Sequence, residues 1–290
     1  MPSQGGGKAG RTVTLENFEK KKDFLICVDS DGCAMDTMDI KHIRCFGPCM
    51  VEEWGLEEWK EPILKRWNDI NLYTMTRGIN RFKGLAKILR EIDGSYRKIE
   101  ELPALEKWVE ESDELSNPAL KRAIERTDNL CLKKALSWSE AVNAGINALP
   151  FEDKKPFEGV KEGLAHAHAY ADVAIVSSAN LQAVEEEWER YGLLDHVDIM
   201  LAQNVGSKAF CIQELLKKGY APDHVLMTGD AVGDYEAAKK NGVFYYPIRV
   251  RHEKDSWEEF REKAVDHLVN MTYGGAYQEE KVQAFLENLK

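Results

Sequence analysis

Asp29 and Asp31 stand one residue apart at the end of an apolar run, Phe24-Leu25-Ile26-Cys27-Val28, and Gly32 follows them. Two carboxylates this close, at the mouth of a strand that reads as buried on both faces, repel each other and lose hydration unless a cation lies between them. Mg²⁺ suits such a pair, because it takes one or two carboxylates and completes its shell with water and phosphate oxygens. The chemistry expected of the stretch is phosphoryl transfer, with one Asp as ligand and nucleophile and the other as general acid and base. Taken alone, Asp-Ser-Asp-Gly is also ordinary turn chemistry, so the rest of the chain must decide between the two readings.

Later strand exits carry residues of the complementary kinds. Val173 to Val176 reads as a strand ending at Ser177-Ser178, where a hydroxyl beside a fresh helix start can donate to a phosphate oxygen. Val197 to Leu201 is a third strand, followed by Ser207 as a helix cap and Lys208 in the first turn, where the helix dipole disfavours a cation. Something anionic is expected to compensate it, and such a local conflict is what a functional position shows. Val225 to Thr228 leads into Gly229-Asp230-Ala231-Val232-Gly233-Asp234, a second pair of acids around glycines, and Val243 to Ile248 is a fifth strand. Helices read between these strands, Gly159 to Tyr170, from Leu181, Ala209 to Lys218, and one stopping at Asn241-Gly242, so the strands are expected to pair in parallel. Their carboxyl ends then share one edge, where open α/β sheets bind ligands. That edge collects Asp29, Asp31, Ser177, Lys208 and Asp230.

Between the first strand and the rest, Met38 to about Pro150 reads as helix throughout. Ile79, Phe82, Leu85, Leu89 and Ile92 form an amphipathic stripe starting near Arg77-Gly78, and Pro103 and Pro118 sit where first helical turns begin. Five of the seven tryptophans (Trp54, Trp59, Trp67, Trp108, Trp138) lie here, enough for a separate core. Arg77 and Arg81, in a cationic cluster beside a helix start, are candidates for substrate recognition. Cys45 and Cys49 read as packing residues, and His166 and His168, two apart on a helix, point to different faces. Ser256-Trp257-Glu258-Glu259 reads as a capping box opening a helix, with one more helix beyond Tyr273. The fold class expected is α/β, a Rossmann-like parallel sheet flanked by helices with a second, all-helical domain. The expected division is a disordered leader over 1–22, an α/β core made of 23–37 with 151–290, and helices over 38–150.

With 290 residues, 43% hydrophobic and 31% charged, the chain reads as a globular protein with one large domain and an insertion. A net charge of −11 argues against nucleic acid as a partner, and a phosphorylated substrate would have to be drawn in by a local cation. No apolar run approaches bilayer length, and the Gly/Ser/Lys-rich N-terminus resembles neither a signal peptide nor an anchor. Six scattered cysteines suggest reduced thiols, so the expected location is cytoplasmic.

These residues together resemble the haloacid dehalogenase superfamily, in the branch with a helical cap inserted after the first motif. Asp29-Ser30-Asp31-Gly32, extended to Asp36-Thr37, is similar to motif one, Ser177 to motif two, Lys208 to motif three, and Gly229-Asp230 with Asp234 to motif four. The resemblance covers roughly 23–37 and 157–250. It implies that Asp29 is the nucleophile of an aspartyl-phosphate mechanism and that Asp31 protonates the leaving oxygen and then activates water. It also implies that Mg²⁺ is held by Asp29, the Asp31 carbonyl and Asp230, with Asp234 as a further ligand or one acting through another ligand, and with Ser177 and Lys208 on the phosphoryl oxygens. The activity implied is a phosphatase for a small phosphorylated metabolite. A phosphosugar mutase and a silent binding protein on the same fold are the alternatives, and a phosphonate hydrolase would need a Schiff-base lysine such as Lys83 or Lys87. Cys33 in place of the usual Thr or Val, the lack of a proline after Lys208 and the length of the insertion depart from the pattern.

Overall fold

The computed structural model describes residues 13–290. Its centre is strand β1 (Phe24–Val28), with a two-residue strand β2 (Met35–Asp36) just after it and β3 (Lys155–Pro156) more than a hundred residues on. Strands β4 (Ala171–Val176), β5 (Ile199–Leu201), β6 (Val225–Gly229) and β7 (Phe244–Pro247) follow. Five of them form one sheet in the order β5-β4-β1-β6-β7, parallel at every pairing, with Ile26 level with Val173 on one side and Leu226 on the other.

Alternation along β1 supplies both faces of the sheet. Ile26 and Val28 enter a core with Val173, Ile175, Trp188, Trp257 and Phe260, whereas Leu25 and Cys27 enter another with Val176, Ile212, Leu215, Tyr245 and Phe285. Successive side chains point to opposite faces, which is why the strand reads as an unbroken apolar run. Burying each such aliphatic side chain contributes roughly 1.5–3 kcal/mol.

From β1 the chain crosses to β4 and β5 on one side, then to β6 and β7 on the other. Connections therefore diverge between β1 and β6, leaving a crevice at their carboxyl ends. Asp29 and Asp230, the residues immediately after these strands, flank it.

The segment between β2 and β3 contains no strand and is closed at its base by their antiparallel pairing, Met35 with Pro156 and Asp36 with Lys155. Its helices pack on a core drawn only from residues 45–149, centred on Trp67, Trp138, Phe82 and Leu89. Trp67 and Trp138 meet edge to face at 6.0 Å between centroids. The helix carrying the predicted stripe is Arg81–Ser95, and Phe82, Leu85, Leu89 and Ile92 are buried. It begins at Asn80, whose side chain accepts the Phe82 amide, so Arg77 and Gly78 belong to the preceding turn. Pro103 and Pro118 occupy first turns as expected.

Two further expectations need correcting. The leader foreseen over 1–22 is docked where it is described: Phe18 is buried against the sheet, and the Lys21 and Lys22 amides donate to Asp172 Oδ2 at 2.8 and 3.0 Å. Residues 1–12 lie outside the described residues. The helix placed at Ser256 starts earlier, as Glu253–Glu259, and Ser256 is a buried interior residue whose hydroxyl donates to His252 O and accepts the Arg249 amide. A serine able to satisfy itself on the preceding turn has no need of a cap position. The final helix is Ala276–Asn288. Among the described residues no helix is long and apolar enough to cross a membrane.

Candidate active site

Each group at the crevice arrives by a different element. Asp29 leaves β1 with its amide bonded to Thr228 O on β6 at 3.0 Å, which locks the two strand exits together. Asp230 follows β6. Asp234 lies one turn into helix Val232–Asn241 and reaches back to accept the Ala231 amide at 3.0 Å. Gly229 permits this return, since a Cβ there would lie 2.4 Å from Asp234 Cγ. Lys208 is the first residue of helix Lys208–Leu216, capped by Ser207, whose hydroxyl accepts the Phe210 amide at 3.2 Å. Asn241 Nδ2, at the last residue of helix Val232–Asn241, donates to Ala209 O at 2.9 Å and ties that end to the start of helix Lys208–Leu216.

Lys208 Nζ lies 2.8 Å from Asp29 Oδ2 and 2.5 Å from Asp234 Oδ1. These two carboxylates are the anions that the Lys208 position required, and they raise the ammonium's pKa against the opposing effect of burial. Asp29, Asp230 and Asp234 are all buried and each offers an oxygen within 4.8 Å of the others. Burial, then the neighbouring Asp234 and Asp230, push Asp29 well above the usual carboxylate range in spite of Lys208. Burial likewise raises Asp230 to about 6, opposed by the Arg77 guanidinium. One Asp230 oxygen, Oδ1, is buried with no hydrogen-bond partner among the described residues. Three carboxylates, one of them with an orphaned oxygen, suit a divalent cation, which could be held by Asp29, Asp230 and Asp234.

Asp31 is set apart from this cluster by its own partners. Lys41 Nζ sits 2.8 Å from both of its carboxylate oxygens, and Thr37 Oγ1 donates to Oδ1 at 2.6 Å. Burial favours the neutral acid, but Lys41 and Thr37 outweigh it, and the pKa falls below its ordinary value. Ser177 follows β4 and is buried, with its hydroxyl accepting the Ala179 amide at 3.1 Å. It lies one strand over from Asp29 at the same sheet edge.

The two arginines foreseen for substrate recognition part company. Arg77 reaches the site, but Nε donates to Asp230 Oδ2 at 2.7 Å and Nη1 to Leu72 O at 2.7 Å, so it is spent on protein groups. Arg81 turns into the helical core instead, with Nη1 on Asn143 Oδ1 at 2.8 Å and the guanidinium 4.9 Å over the Phe46 ring. Its pKa is lowered by burial to about 10. Lys83 and Lys87 are exposed on the outer face of their helix. The sequence reading passed over Lys41. The signal was available in the spacing, because Thr37 and Lys41 are four apart across a helix start and share a face.

The chain is similar to known proteins in sequence and in fold. Residues 97–246, just over half of the chain, match the family model of haloacid dehalogenase-like hydrolases. That stretch includes Ser177, Lys208, Asp230 and Asp234, and begins after Asp29 and Asp31. No curated protein matches the sequence. Among solved structures, a haloacid dehalogenase-like family hydrolase from Xanthomonas campestris superposes with a TM-score of 0.51 at 15% identity, covering 88% of this chain and 97% of its own. A candidate phosphoglycolate phosphatase from Lactobacillus delbrueckii subsp. bulgaricus gives 0.52 at 13% identity, covering 84% and 99%. A haloacid dehalogenase-like family protein from Streptococcus pneumoniae gives 0.50 at 13%, covering 81% and 90%. At such identities these structures speak for the fold alone, and the family rests on the matched stretch with the motif residues inside it: the chain belongs to the haloacid dehalogenase-like hydrolase family.

Proposed function

We propose that the protein is a phosphatase that hydrolyses a small phosphate monoester through a phosphoryl group carried on Asp29. The observation that carries this reading is the meeting of Asp29, Lys208, Asp230 and Asp234, drawn from the exits of β1 and β6 and the starts of two helices, around one point. Phosphoryl transfer asks a protein for little beyond positioning and charge neutralisation, and this cluster supplies both.

In the proposed reaction Asp29 attacks phosphorus and is aligned for it by Lys208, which also offers donors to the equatorial oxygens. Ser177 supplies a hydroxyl at the same edge. Asp31 exchanges the proton: ionised beside Lys41, it is ready to take one from the hydrolytic water. The proton needed earlier by the leaving oxygen arrives with the substrate as its monoanion. A bound Mg²⁺, held by Asp29, Asp230, Asp234 and the Asp31 carbonyl, would neutralise charge on the transferring group. Residues 38–150 act as a cap inserted into a discontinuous core, excluding water and presenting specificity groups. The six free cysteines fit a cytoplasmic location.

The test is a screen of phosphorylated metabolites with Mg²⁺ or EDTA. We expect release of inorganic phosphate that EDTA abolishes and that Asp29→Asn removes while the thermal melt is retained. Activity surviving in Asp29→Asn would defeat the reading.

A further inference from the structure

Among the described residues of the helical segment, Arg77 donates a hydrogen bond to an acid of the carboxylate cluster. Both Arg77 and Asp230 are 1% exposed, and their pairing joins residues 153 positions apart. The guanidinium is fixed on three sides: Nε to Asp230 Oδ2, Nη1 to Leu72 O, and Nη2 against Gly32 O at 3.5 Å. It packs closely against Gly32. A Cβ on Gly32 would lie 2.7 Å from both Arg77 Nη2 and Asp230 Oδ2, and Gly32 adopts φ +80°, where side-chain-bearing residues are strained.

The turn that carries Arg77 is itself seated on the sheet edge. Gly78, with φ +71°, comes so near that a Cβ there would be 2.8 Å from Ala231 Cβ, next to Asp230. Tyr73, just before the turn, lies under the Arg251 guanidinium at 4.1 Å and donates to Asp39 Oδ2 at 2.9 Å. Arg77 thus occupies one oxygen of Asp230 while the other, Oδ1, is buried and without a partner among the described residues.

We infer that Arg77 is a positioning residue for the cation site: by holding Asp230 Oδ2 it fixes that carboxylate with Oδ1 left for an ion, and so couples ion binding to the seating of the Thr74–Gly78 turn. The inference rests on the reading that Asp29, Asp230 and Asp234 hold a divalent cation. A carboxylate ligand held by an outer partner binds metal more tightly, and losing that partner typically costs about 10–100-fold in affinity. Reciprocity follows from linkage, since whatever makes the seated turn favour the ion makes the ion favour the seated turn. The lone alternative for a buried arginine, a purely structural ion pair, predicts lost stability without this coupling.

The experiment uses the full chain and measures Mn²⁺ binding by calorimetry and electron paramagnetic resonance, with amide hydrogen exchange of the wild type in the presence and absence of Mg²⁺. Wild type should bind Mn²⁺, Arg77→Gln should bind it about 10–100-fold more weakly, and Arg77→Lys, which retains a charge for Asp230, should recover part of the loss. In the wild type, Mg²⁺ should slow exchange at the amides of Arg77, Gly78 and Ile79, which donate to Thr74 O, Asn71 O and Thr76 O within and beside the turn. Wild-type binding with Arg77→Gln within twofold of it, or with unchanged exchange in the turn, overturns the inference and leaves the cation reading standing. No Mn²⁺ binding by wild type overturns both. Should Arg77→Gln fail to fold, the exchange measurement on wild type decides.

Discussion

Lys208 illustrates how one residue can offend a local rule and satisfy a distant one. A cation at the first position of a helix is unfavourable by a few tenths of a kcal/mol to about 1 kcal/mol, yet its ammonium bridges Asp29 and Asp234 across the crevice. Lys208→Met should therefore lower kcat by about 10²–10³-fold, the usual effect of losing one preorganised donor at a transition state. Steady-state kinetics on the substrate found by the metabolite screen checks this, and a loss confined to KM would contradict the role given to it. Asp31 and Lys41 allow a second prediction. The Asp31 pKa lies below its ordinary value of 3.8 because Lys41 and Thr37 outweigh burial. A carboxylate with a depressed folded pKa contributes stability above the unfolded value and loses it as pH falls through the folded one. In Lys41→Met burial is left unopposed by the ammonium, so the acid limb of the kcat/KM profile should move to higher pH. An unmoved acid limb would detach Lys41 from the proton transfer.

At the scale of elements, the site depends on turns tight enough to bring carboxylates back toward the sheet. Gly229 is the clearest case: any Cβ there would intrude on Asp234 at 2.4 Å. Gly229→Ala should destabilise the protein by about 1–3 kcal/mol, as overpacking of a filled space does, and should lower activity by displacing Asp234. A thermal melt within a degree of wild type would show that the turn relaxes freely. Elements also explain what was legible in the sequence. β1 announced itself as a five-residue apolar run ending in two acids, and the later strands as short, mainly apolar runs that stop at Ser177, after Leu201 and at Gly229, because core strands buried on both faces are predominantly apolar. Helix caps at Ser207 and Gly242 were equally local. The destinations of Arg77 and Arg81 were not, since four residues of spacing cannot say that one guanidinium crosses to Asp230 while the other lies on Phe46. That depends on how the helical segment sits over the sheet. Ser256 misled for a related reason, its hydroxyl finding partners on the preceding turn that no pattern reveals.

For the whole molecule the governing quantity is charge held at the meeting of the helical segment and the sheet. Five buried or half-buried groups, Asp29, Asp230, Asp234, Lys208 and Arg77, share one small volume in a chain of net charge −11. Asp230 is raised to about 6 by burial. A carboxylate with a raised folded pKa favours folding below its unfolded value and loses that contribution as pH rises from about 4 through about 6. A divalent cation on the cluster offsets the loss above that window, whereas below it protons compete. Saturating Mg²⁺ should accordingly raise the melting temperature more at pH 7.5 than at pH 5.0, with about 2.7 kcal/mol available at a hundred times Kd. Equal shifts at both pH values, read by differential scanning calorimetry, would place the ion elsewhere.

Fluoroberyllate tests whether Asp29 receives a phosphoryl group without any knowledge of the substrate, because it mimics a phosphoryl group on a carboxylate. The measurement is ¹⁹F NMR of the full chain with Mg²⁺ and beryllium fluoride. The expected result is a set of bound resonances that vanish in Asp29→Asn. Bound resonances that persist in Asp29→Asn, or only free fluoride species with the wild type, would contradict transfer to Asp29.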